Sequence, residues 1–514
     1  MKGNKENFDA VIIGSGIGGL VTASQLAAKG AKVLVLEKYI IPGGSGGSFK
    51  RKGYTFDVGA SMIFGFGEKG YTNLLTRALK DVNEKCETIP DPVQLEYHLP
   101  NSFSIAVDRE YEEFISKLSD RFPQEKEGIR KFYGTCKEVF KCLDSMPLLS
   151  IEDPAYLLKV FFKAPLSCLG LARWLPINAG DVARKFIKDP ELLKFIDIEC
   201  FCWSVMPALK TPMINAGMVF TDRHAGGINY PKGGVGKIAE KLVNGIEKLG
   251  SKIRYKANVT EIILKDKKAV GVKLSNGEEI QSEIIVSNST RWDTFGLSNK
   301  DKGLVAREFV PKNEYKWSKT YKPSPSFVSI HLGVDGKLIN ENFNCHHIIV
   351  EDWEELENEK GVIFISIPTL LDPSLAPVGK HIIHAFTPSS LSEWDNLSRV
   401  EYISKKENYY SFLIEKISKI IPKLDKYIDH KEIGTPRTHR KFLGRFEGSY
   451  GPIPNKKLLG LLPMPFNTTN IKNLYCVGDS CFPGQGLNAV AFSGYACAHK
   501  IGSKLNINDF KLPN

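Results

Sequence analysis

The pattern of apolar and polar positions near the N-terminus predicts a strand, a helix and a second strand. Residues 8–13 form an apolar run with the length of a buried strand, and residues 18–29 are typical of a helix. Gly30 follows at the position where glycine commonly ends a helix. Residues 31–36 form a second apolar strand, and Glu37 stands at its end. The sequence therefore predicts one strand–turn–helix–strand unit, around which the rest of the chain is interpreted.

The turn of this unit has glycines at the positions that a dinucleotide-binding site requires. Gly14 permits the tight turn, Gly16 lets the backbone approach a pyrophosphate, and Gly19 lets the helix pack on the strand. The helix N-terminus at Gly18 offers free N–H groups and the positive end of a dipole to phosphates. Glu37 lies 23 residues after Gly14, where a carboxylate can bind ribose hydroxyls and disfavours the 2′-phosphate of NADP.

Farther along the chain, the pattern predicts both antiparallel strands and helices. Residues 94–107 are expected to form a hairpin and residues 109–146 helices with one charged side. The β-rich runs at 326–333 and 361–388 are expected to form an antiparallel sheet that floors a substrate cavity. The elements predicted to return to the nucleotide-binding unit are a helix at 237–249 and strands at 252–255, 258–262, 283–287 and 473–479.

Residues 60–75 are rich in glycine and large apolar side chains. They follow a predicted short strand at 54–59, and two interpretations stay open: they enter a substrate cavity, or they pack in an ordinary core. The residues concerned are Met62, Phe64, Phe66 and Tyr71.

Residues 156–177 are strongly apolar and carry only three charges, Lys159, Lys163 and Arg173. These cations and Pro165 argue against a membrane-spanning helix. Apolar residues interleaved with cations are typical of a segment that lies in a membrane interface. A buried lid helix fits the same pattern, and the sequence leaves both interpretations open.

Charge and length narrow the class of protein. The chain has 514 residues, enough for two or three domains, and a net charge of +11. Lysine is spread along the chain rather than concentrated in blocks, which argues against a nucleic-acid partner. A diffuse positive surface suits anionic membrane lipids, although a merely soluble basic protein has the same composition.

Cysteine and histidine usage gives no prediction of a metal site. The ten cysteines occur without a CxxC pair or a secretory signal, which predicts reduced thiols in a cytosolic or equivalent compartment. Cys200 and Cys202 are expected to be buried free thiols, because no His or Cys cluster lies near them in sequence. His346 and His347 form a pair without a partner cluster, and neighbours in a strand point to opposite faces.

The segment after residue 37 resembles the N-terminal motif of the flavin-dependent amine oxidase and phytoene desaturase superfamily. In that superfamily a Glu-Lys pair, here Glu37 and Lys38, precedes a Gly-Gly loop, here Gly43 and Gly44, that crosses the pyrophosphate of FAD. The superfamily's arginine after the glycine pair is replaced by Ser45, so that phosphate contact is not expected.

The C-terminal strand and helix extend this resemblance. It implies that Asp479 binds the ribityl chain of FAD, that the helix after Gly486 points at the flavin, and that Val259 meets the adenine. The positive end of that helix favours an anionic reduced flavin. The predicted cofactor-binding residues are Gly14, Gly16, Gly18, Gly19, Glu37, Lys38, Gly43, Gly44, Val259, Gly478, Asp479, Gly486, Asn488 and Ala489.

The resemblance implies an α/β fold. A Rossmann-like FAD-binding domain of the glutathione reductase and amine oxidase type carries an inserted α+β substrate domain built on an antiparallel sheet. The expected boundaries are 1–75, 226–300 and 441–514 for a discontinuous FAD-binding domain, 76–225 for a helical lid or membrane-facing part, and 301–440 for the antiparallel sheet.

Longer stretches are similar to the prolycopene isomerases, the carotenoid cis–trans isomerases of cyanobacteria and plastids. The resemblance implies that reduced FAD supports a redox-neutral conversion of poly-cis lycopene to all-trans lycopene, with NAD(P)H at most an external reductant. It implies a peripheral protein on the cytoplasmic side of a cyanobacterial thylakoid or plasma membrane, or the plastid equivalent, with no metal. The similar stretches are residues 35–47, 222–224, 226–231, 290–295, 434–440 and 476–486.

Two alternatives to isomerisation stay open. A flavin-dependent carotenoid desaturase, or a saturase of a related polyene, shares the fold, the cofactor and the lipid substrate but has net electron flow. A non-catalytic carotenoid carrier would keep FAD as a structural ligand. The sequence does not name the group that protonates or deprotonates the polyene.

Overall fold

The computed structural model describes residues 7–68, 70–146, 150–297, 302–340, 342–454 and 464–507. In this part of the chain the strands are β1 Phe8–Ile13, β2 Val33–Leu36, β3 Ser48–Arg51, β4 Tyr54–Asp57, β5 Thr88–Pro90, β6 Val93–Leu99, β7 Phe103–Asp108, β8 Asn229–Pro231, β9 Lys252–Arg254, β10 Val259–Lys265, β11 Lys268–Leu274, β12 Glu279–Ser287, β13 Tyr321–Pro323, β14 Ser326–Asp335, β15 His346–Ile349, β16 Ile363–Ser366, β17 Lys380–Ser389, β18 Ile428–Gly434, β19 Pro452–Pro454 and β20 Leu474–Cys476.

The same residues form fifteen α-helices, seven of which follow one another between β7 and β8. They are α1 Ile17–Ala28, α2 Leu74–Asp81, α3 Tyr111–Arg121, α4 Lys126–Asp144, α5 Pro154–Lys163, α6 Pro165–Ala172, α7 Ala179–Phe186, α8 Pro190–Ser204, α9 Met213–Ala225, α10 Gly236–Lys248, α11 Arg291–Phe295, α12 Lys312–Thr320, α13 Arg399–Ile417, α14 Pro436–Leu443 and α15 Leu487–Lys504.

The first large sheet is Rossmann-like. Its parallel part pairs β1 with β2 and β12, β2 with β9, and β12 with β20, while β10 and β11 add an antiparallel extension through β12. The central strands β1 and β2 are mostly apolar because helices cover them, and β2 is buried at every position, whereas the edge strand β9 is polar. Strands from the beginning, the middle and the end of the chain therefore share one sheet, which confirms the predicted fold class.

The second large sheet has the order β18-β14-β17-β16-β15-β6-β7. Its neighbours are antiparallel except β15 and β6, which run parallel. The predicted hairpin at 94–107 is confirmed as β6 and β7, and the predicted antiparallel sheet as β14, β16 and β17. The domain boundaries given above stay predictions.

The apolar segment at 156–177 folds as two short helices with exposed outer faces. α5 and α6 meet at an angle of 113°. Within the described residues no single helix is long and apolar enough to cross a bilayer; only these two, taken together as a bent pair, reach that length and apolarity. Phe162 is 74% exposed and Leu166 82% exposed, so the segment is not a fully buried lid.

Candidate functional site

A cavity of about 840 Å³ extends from the turn after β1 to the antiparallel sheet. Its walls come from both large sheets, because residues after β1 and β2 and residues of β14, β16 and β17 all line it. In an α/β sheet, ligands bind at the carboxyl ends of parallel strands, which is where this cavity begins.

At the nucleotide end, hydrogen bonds hold Glu37 in the cavity wall. Its Oε2 accepts from the backbone N–H of Ser15 at 2.9 Å and from the Ser15 hydroxyl at 2.7 Å. Its Oε1 accepts from the backbone N–H of Tyr39 at 2.7 Å. The Gly-Gly loop is fixed to the same turn, because the N–H of Gly43 donates to the Ser15 carbonyl at 2.9 Å. The turn, the loop and the carboxylate are thus one preorganised unit.

The predicted cofactor-binding residues converge on this cavity, with one exception. Gly19 is not in the wall: it lies against the turn, where a Cβ would come within 2.5 Å of the Gly14 carbonyl oxygen. That position fits the helix–strand packing expected for it. The residues in the wall are Gly14, Gly16, Gly18, Glu37, Lys38, Gly43, Gly44, Val259, Gly478, Asp479, Gly486, Asn488 and Ala489.

The backbone of this wall fits a dinucleotide. Gly14, Gly43 and Gly478 have φ values of +94°, +102° and +104°, which other residues rarely adopt. α1 and α15 begin after Gly16 and Gly486, which have no side chain to cover the first N–H groups. Both helix N-termini therefore present free donors and positive dipole ends, as a pyrophosphate and an electron-rich ring require.

The cavity wall around Asp479 contains an ion pair that the sequence did not indicate. Arg445 donates to Asp479, and its guanidinium lies over the ring of Tyr450, 5.2 Å from the centroid. Asn488 donates through Nδ2 to the Tyr71 carbonyl at 2.8 Å, while its Oδ1 is buried without a hydrogen-bond partner in the described residues. An unsatisfied buried acceptor in a cavity wall fits a donor on a bound ligand.

Two arginines in the stretches that resemble the prolycopene isomerases, 222–224 and 290–295, form buried ion pairs. Arg223 forms a buried pair with Glu199, at 2.5 and 3.3 Å. Arg291 forms a buried pair with Glu314, at 2.9 and 2.8 Å. Because neither arginine lines the cavity, both stabilise the walls rather than contact a ligand.

Asp57 connects the strand β4 to the glycine turn before α10. Its carboxylate accepts from the hydroxyls of Ser48, Ser61 and Tyr230 and from the backbone N–H of Val235, at 2.8 to 2.9 Å. Burial still raises the pKa of Asp57 above its usual range, although these hydrogen bonds oppose the shift.

The far end of the cavity is apolar and aromatic. Phe64 and Trp203 pack edge to face, with centroids 5.2 Å apart, and Phe364 and Phe386 stack at 4.8 Å. Of the residues left open by the sequence, Met62, Phe64 and Tyr71 line the cavity, whereas Phe66 packs against the core under the Rossmann-like sheet. Leu171 of α6 also lines it, so the exposed helix pair borders the cavity.

The histidines in the cavity floor are neutral at physiological pH. His331 and His384 stack with centroids 4.2 Å apart, and His439 lies near them. Burial lowers the pKa of His331 and of His439 to about 4. Neutral rings suit an apolar ligand, because they bring no charge into the cavity.

One carboxyl in the wall has a strongly raised pKa. Asp222 on α9 is buried, and its Oδ1 has no hydrogen-bond partner within the described ranges. Burial, with a smaller contribution from Asp144, raises its pKa to about 8.

The prediction that the histidine pair lacks a partner cluster is wrong. His346 lies with Asp91 and Cys345 on one side of β15, and His347 lies with Glu96 and His98 on the other. The two rings do point to opposite faces, as expected for neighbours in a strand. Cys345 directly precedes His346, but Asp91, Glu96 and His98 were missed because they come from β6 and the segment before it, far away in sequence. Cys200 is a buried free thiol, as predicted, and Cys202 is a free thiol that is only partly buried.

Comparison with known proteins assigns the family. Residues 17–501 match the flavin containing amine oxidoreductases. Prolycopene isomerase 1, chloroplastic, of an Oncidium hybrid cultivar is 58% identical over 504 residues, covering 98% of this chain and 85% of that protein. The chain belongs to the prolycopene isomerases of the flavin-containing amine oxidoreductase family. Prolycopene isomerase, chloroplastic, of Arabidopsis thaliana is 55% identical over 507 residues, covering 98% and 84%.

Solved structures support the fold. An oxidoreductase from Methanosarcina mazei superposes with a TM-score of 0.63 at 19% identity, covering 94% of this chain and 98% of that one. Membership of a flavin-containing family, together with the glycine-lined wall, assigns FAD as the cofactor.

Proposed function

We propose that the chain isomerises poly-cis lycopene to all-trans lycopene with FAD in its reduced form. The observation that carries this proposal is 55–58% identity to named prolycopene isomerases over 97–98% of the chain. The cavity supports it independently, because one continuous space joins a dinucleotide cradle to an aromatic tunnel. A long hydrocarbon fits such a tunnel, whereas a charged substrate would lose its hydration there.

The chain's own residues bind and position the reactants. The backbone N–H groups at the start of α1 would hold the pyrophosphate, Glu37 the ribose, Val259 the adenine and Asp479 the ribityl chain. When bound, reduced FAD supplies the electron density that transiently lowers the bond order of a polyene. The N-terminus of α15 favours negative charge at that position. The aromatic walls exclude water and align the polyene.

Access to a lipid-dissolved substrate requires contact with a membrane. We propose that the outer faces of α5 and α6 lie in the interface, where Phe162 and Leu166 would enter the apolar region and Lys159 and Lys163 would meet anionic headgroups. The protein is then peripheral, on the cytoplasmic side of a cyanobacterial thylakoid or plasma membrane or its plastid equivalent.

NAD(P)H is proposed only as an external reductant. Glu37 lines the cradle where the ribose of the dinucleotide would bind, and its carboxylate disfavours the 2′-phosphate of NADPH there. Because NAD(P)H would serve only to reduce the flavin, dithionite should replace it without loss of isomerisation.

The test is an anaerobic turnover experiment. Protein with dithionite-reduced flavin is mixed with tetra-cis-lycopene in liposomes. The products are separated by chromatography, and their molecular masses are measured by mass spectrometry. The expected product is all-trans lycopene of unchanged mass, with many substrate molecules converted per flavin. The oxidised protein, as the control, should stay inactive.

Two outcomes would reject the proposal. A product lighter by two hydrogens, formed by the oxidised protein, identifies a desaturase. Bound lycopene that stays unchanged whether the flavin is oxidised or reduced identifies a carrier.

A further inference from the structure

Glu96, His98 and His347 meet on one side of the antiparallel sheet. Glu96 and His98 alternate along β6, and the parallel register with β15 places His347 beside Glu96. His98 Nε2 lies 3.1 Å from His347 Nδ1, and His347 Nδ1 lies 3.6 Å from Glu96 Oε2. The three ligand atoms all lie within 4.8 Å of one another.

Asn344 orients two members of this group. The carbonyl of Asn344 lies 2.8 Å from His347 Nε2, and because a carbonyl only accepts, that nitrogen carries the hydrogen. The lone pair of His347 Nδ1 therefore faces His98 and Glu96. The side-chain amide of Asn344 donates to Glu96 Oε2 at 2.7 Å. Hydrogen bonds of this kind, from the second ring nitrogen to a backbone carbonyl, fix the tautomer of metal-binding histidines.

The group lies on the side of the sheet away from the cavity. Ile349, on the His347 side of β15, packs with Ile363 and Ile365 against α13. Phe364, between these two isoleucines in β16, points the other way and lines the cavity. A ligand bound by His347 and its partners is therefore separate from the FAD and polyene site.

We propose that Glu96, His98 and His347 bind a Zn²⁺ ion. Two histidines and one glutamate form a ligand set of zinc sites that keep a fourth position for solvent. Tetrahedral bonds of about 2.0–2.1 Å place ligand atoms about 3.3 Å apart. The separations of His347 Nδ1 from His98 Nε2 and from Glu96 Oε2, 3.1 and 3.6 Å, lie on either side of that value. His98 and Glu96 are partly exposed, which leaves a route for the ion and room for a water ligand.

The ion would join two strands that are distant in sequence. His98 and His347 are 249 residues apart, and β6 and β15 form the parallel pair of an otherwise antiparallel sheet. Zinc that binds only the folded chain raises the free energy of unfolding by RT ln(1 + [Zn²⁺]/Kd). The proposed role is to fasten the hairpin β6–β7 to the rest of the sheet.

Zinc uptake by the purified, FAD-containing protein tests the proposal. The protein is first dialysed against EDTA, and then equilibrium dialysis against Zn²⁺ at pH 7.5 is followed by elemental analysis. One zinc per chain is expected, with a rise in the thermal midpoint on zinc addition. His98→Gln and Glu96→Gln should weaken uptake at least tenfold and abolish the thermal shift. Both substitutions keep a side chain that can form hydrogen bonds, so the variants should fold. Their FAD content, compared with that of the wild-type protein, checks that they do.

The controls separate this site from its neighbours. His381→Ala removes a partly buried histidine of the same sheet and should leave zinc uptake unchanged. The proposal is overturned if the wild-type protein takes up no zinc, because the three side chains then form only a hydrogen-bonded cluster. It is also overturned if uptake survives His98→Gln but disappears in Cys345→Ser, which would place the ion on the opposite side of β15.

Discussion

Replacing Asp222 by Asn should change how stability depends on pH. The folded protein holds a proton on this carboxyl up to a pKa of about 8, whereas the ordinary value is 3.8. Between these two values, unfolding releases one proton. The contribution of Asp222 to the free energy of unfolding is therefore fully present below pH 4. It falls as pH rises, at about 1.4 kcal/mol per pH unit. From pH 5 to pH 7 the loss is about 3 kcal/mol.

Asn has the shape of a protonated Asp and does not titrate, so the variant should lack this loss. Urea unfolding of FAD-saturated wild-type and Asp222→Asn protein, followed by tryptophan fluorescence at pH 5, 6 and 7, measures the difference. The free energy of unfolding of the variant, relative to wild type, should grow by about 3 kcal/mol across this range.

The control for this experiment is Asp120→Asn, which makes the same change of charge at an exposed position of α3. Its difference from wild type should be small at every pH. A constant difference between Asp222→Asn and wild type from pH 5 to pH 7 would refute the reasoning, because it would mean that the folded protein already ionises Asp222. Asp144 also raises the pKa of Asp222, so replacing Asp144 should lower that pKa. The free energy of unfolding should then stop falling at a lower pH than in the wild-type protein.

Three further predictions concern the cofactor, the membrane and the core. Gly16→Val should yield protein without flavin absorbance, since a Cβ there comes within 2.7 Å of Asn288 Nδ2 and narrows the phosphate cradle; normal FAD content would contradict the site. Phe162→Glu with Leu166→Glu should reduce flotation with anionic liposomes while FAD content stays normal, and unchanged flotation would contradict interfacial binding. Asp57→Ala should lower the free energy of unfolding by about 3 kcal/mol or more, measured by urea unfolding, because four donors, three of them buried, lose their acceptor; a loss below about 1 kcal/mol would contradict this.

The nucleotide-binding unit could be predicted closely from the sequence. Its strands are short apolar runs and its turns need glycine, so local composition nearly determines them. β1 has the predicted ends, and α1 begins one residue before the predicted start. The second strand begins at Val33 rather than at residue 31, because the first two residues of the predicted run precede the paired segment.

The strand order of the second sheet and individual side-chain contacts between distant segments could not be predicted. The pairing of β6 with β15 joins residues about 250 positions apart, and neither strand's pattern specifies the other. The partner of Asp479 is Arg445, which lies in an irregular segment between α14 and β19 and has no periodic signal. The polar partners of His347 were missed for the same reason: they depend on strand register, which tertiary packing decides.

The position of β20 has a consequence for synthesis on the ribosome. The strand β1 emerges first, but its sheet is complete only when β20 pairs with β12, and α15 packs on α1 through Gly494, where a Cβ would come within 2.8 Å of the Gly18 carbonyl. The cradle around Gly16 therefore stays open throughout translation of the substrate-binding part. We therefore expect FAD to bind only after β20 and α15 have been synthesised, because a chain that stops before residue 474 lacks the second half of its cofactor site.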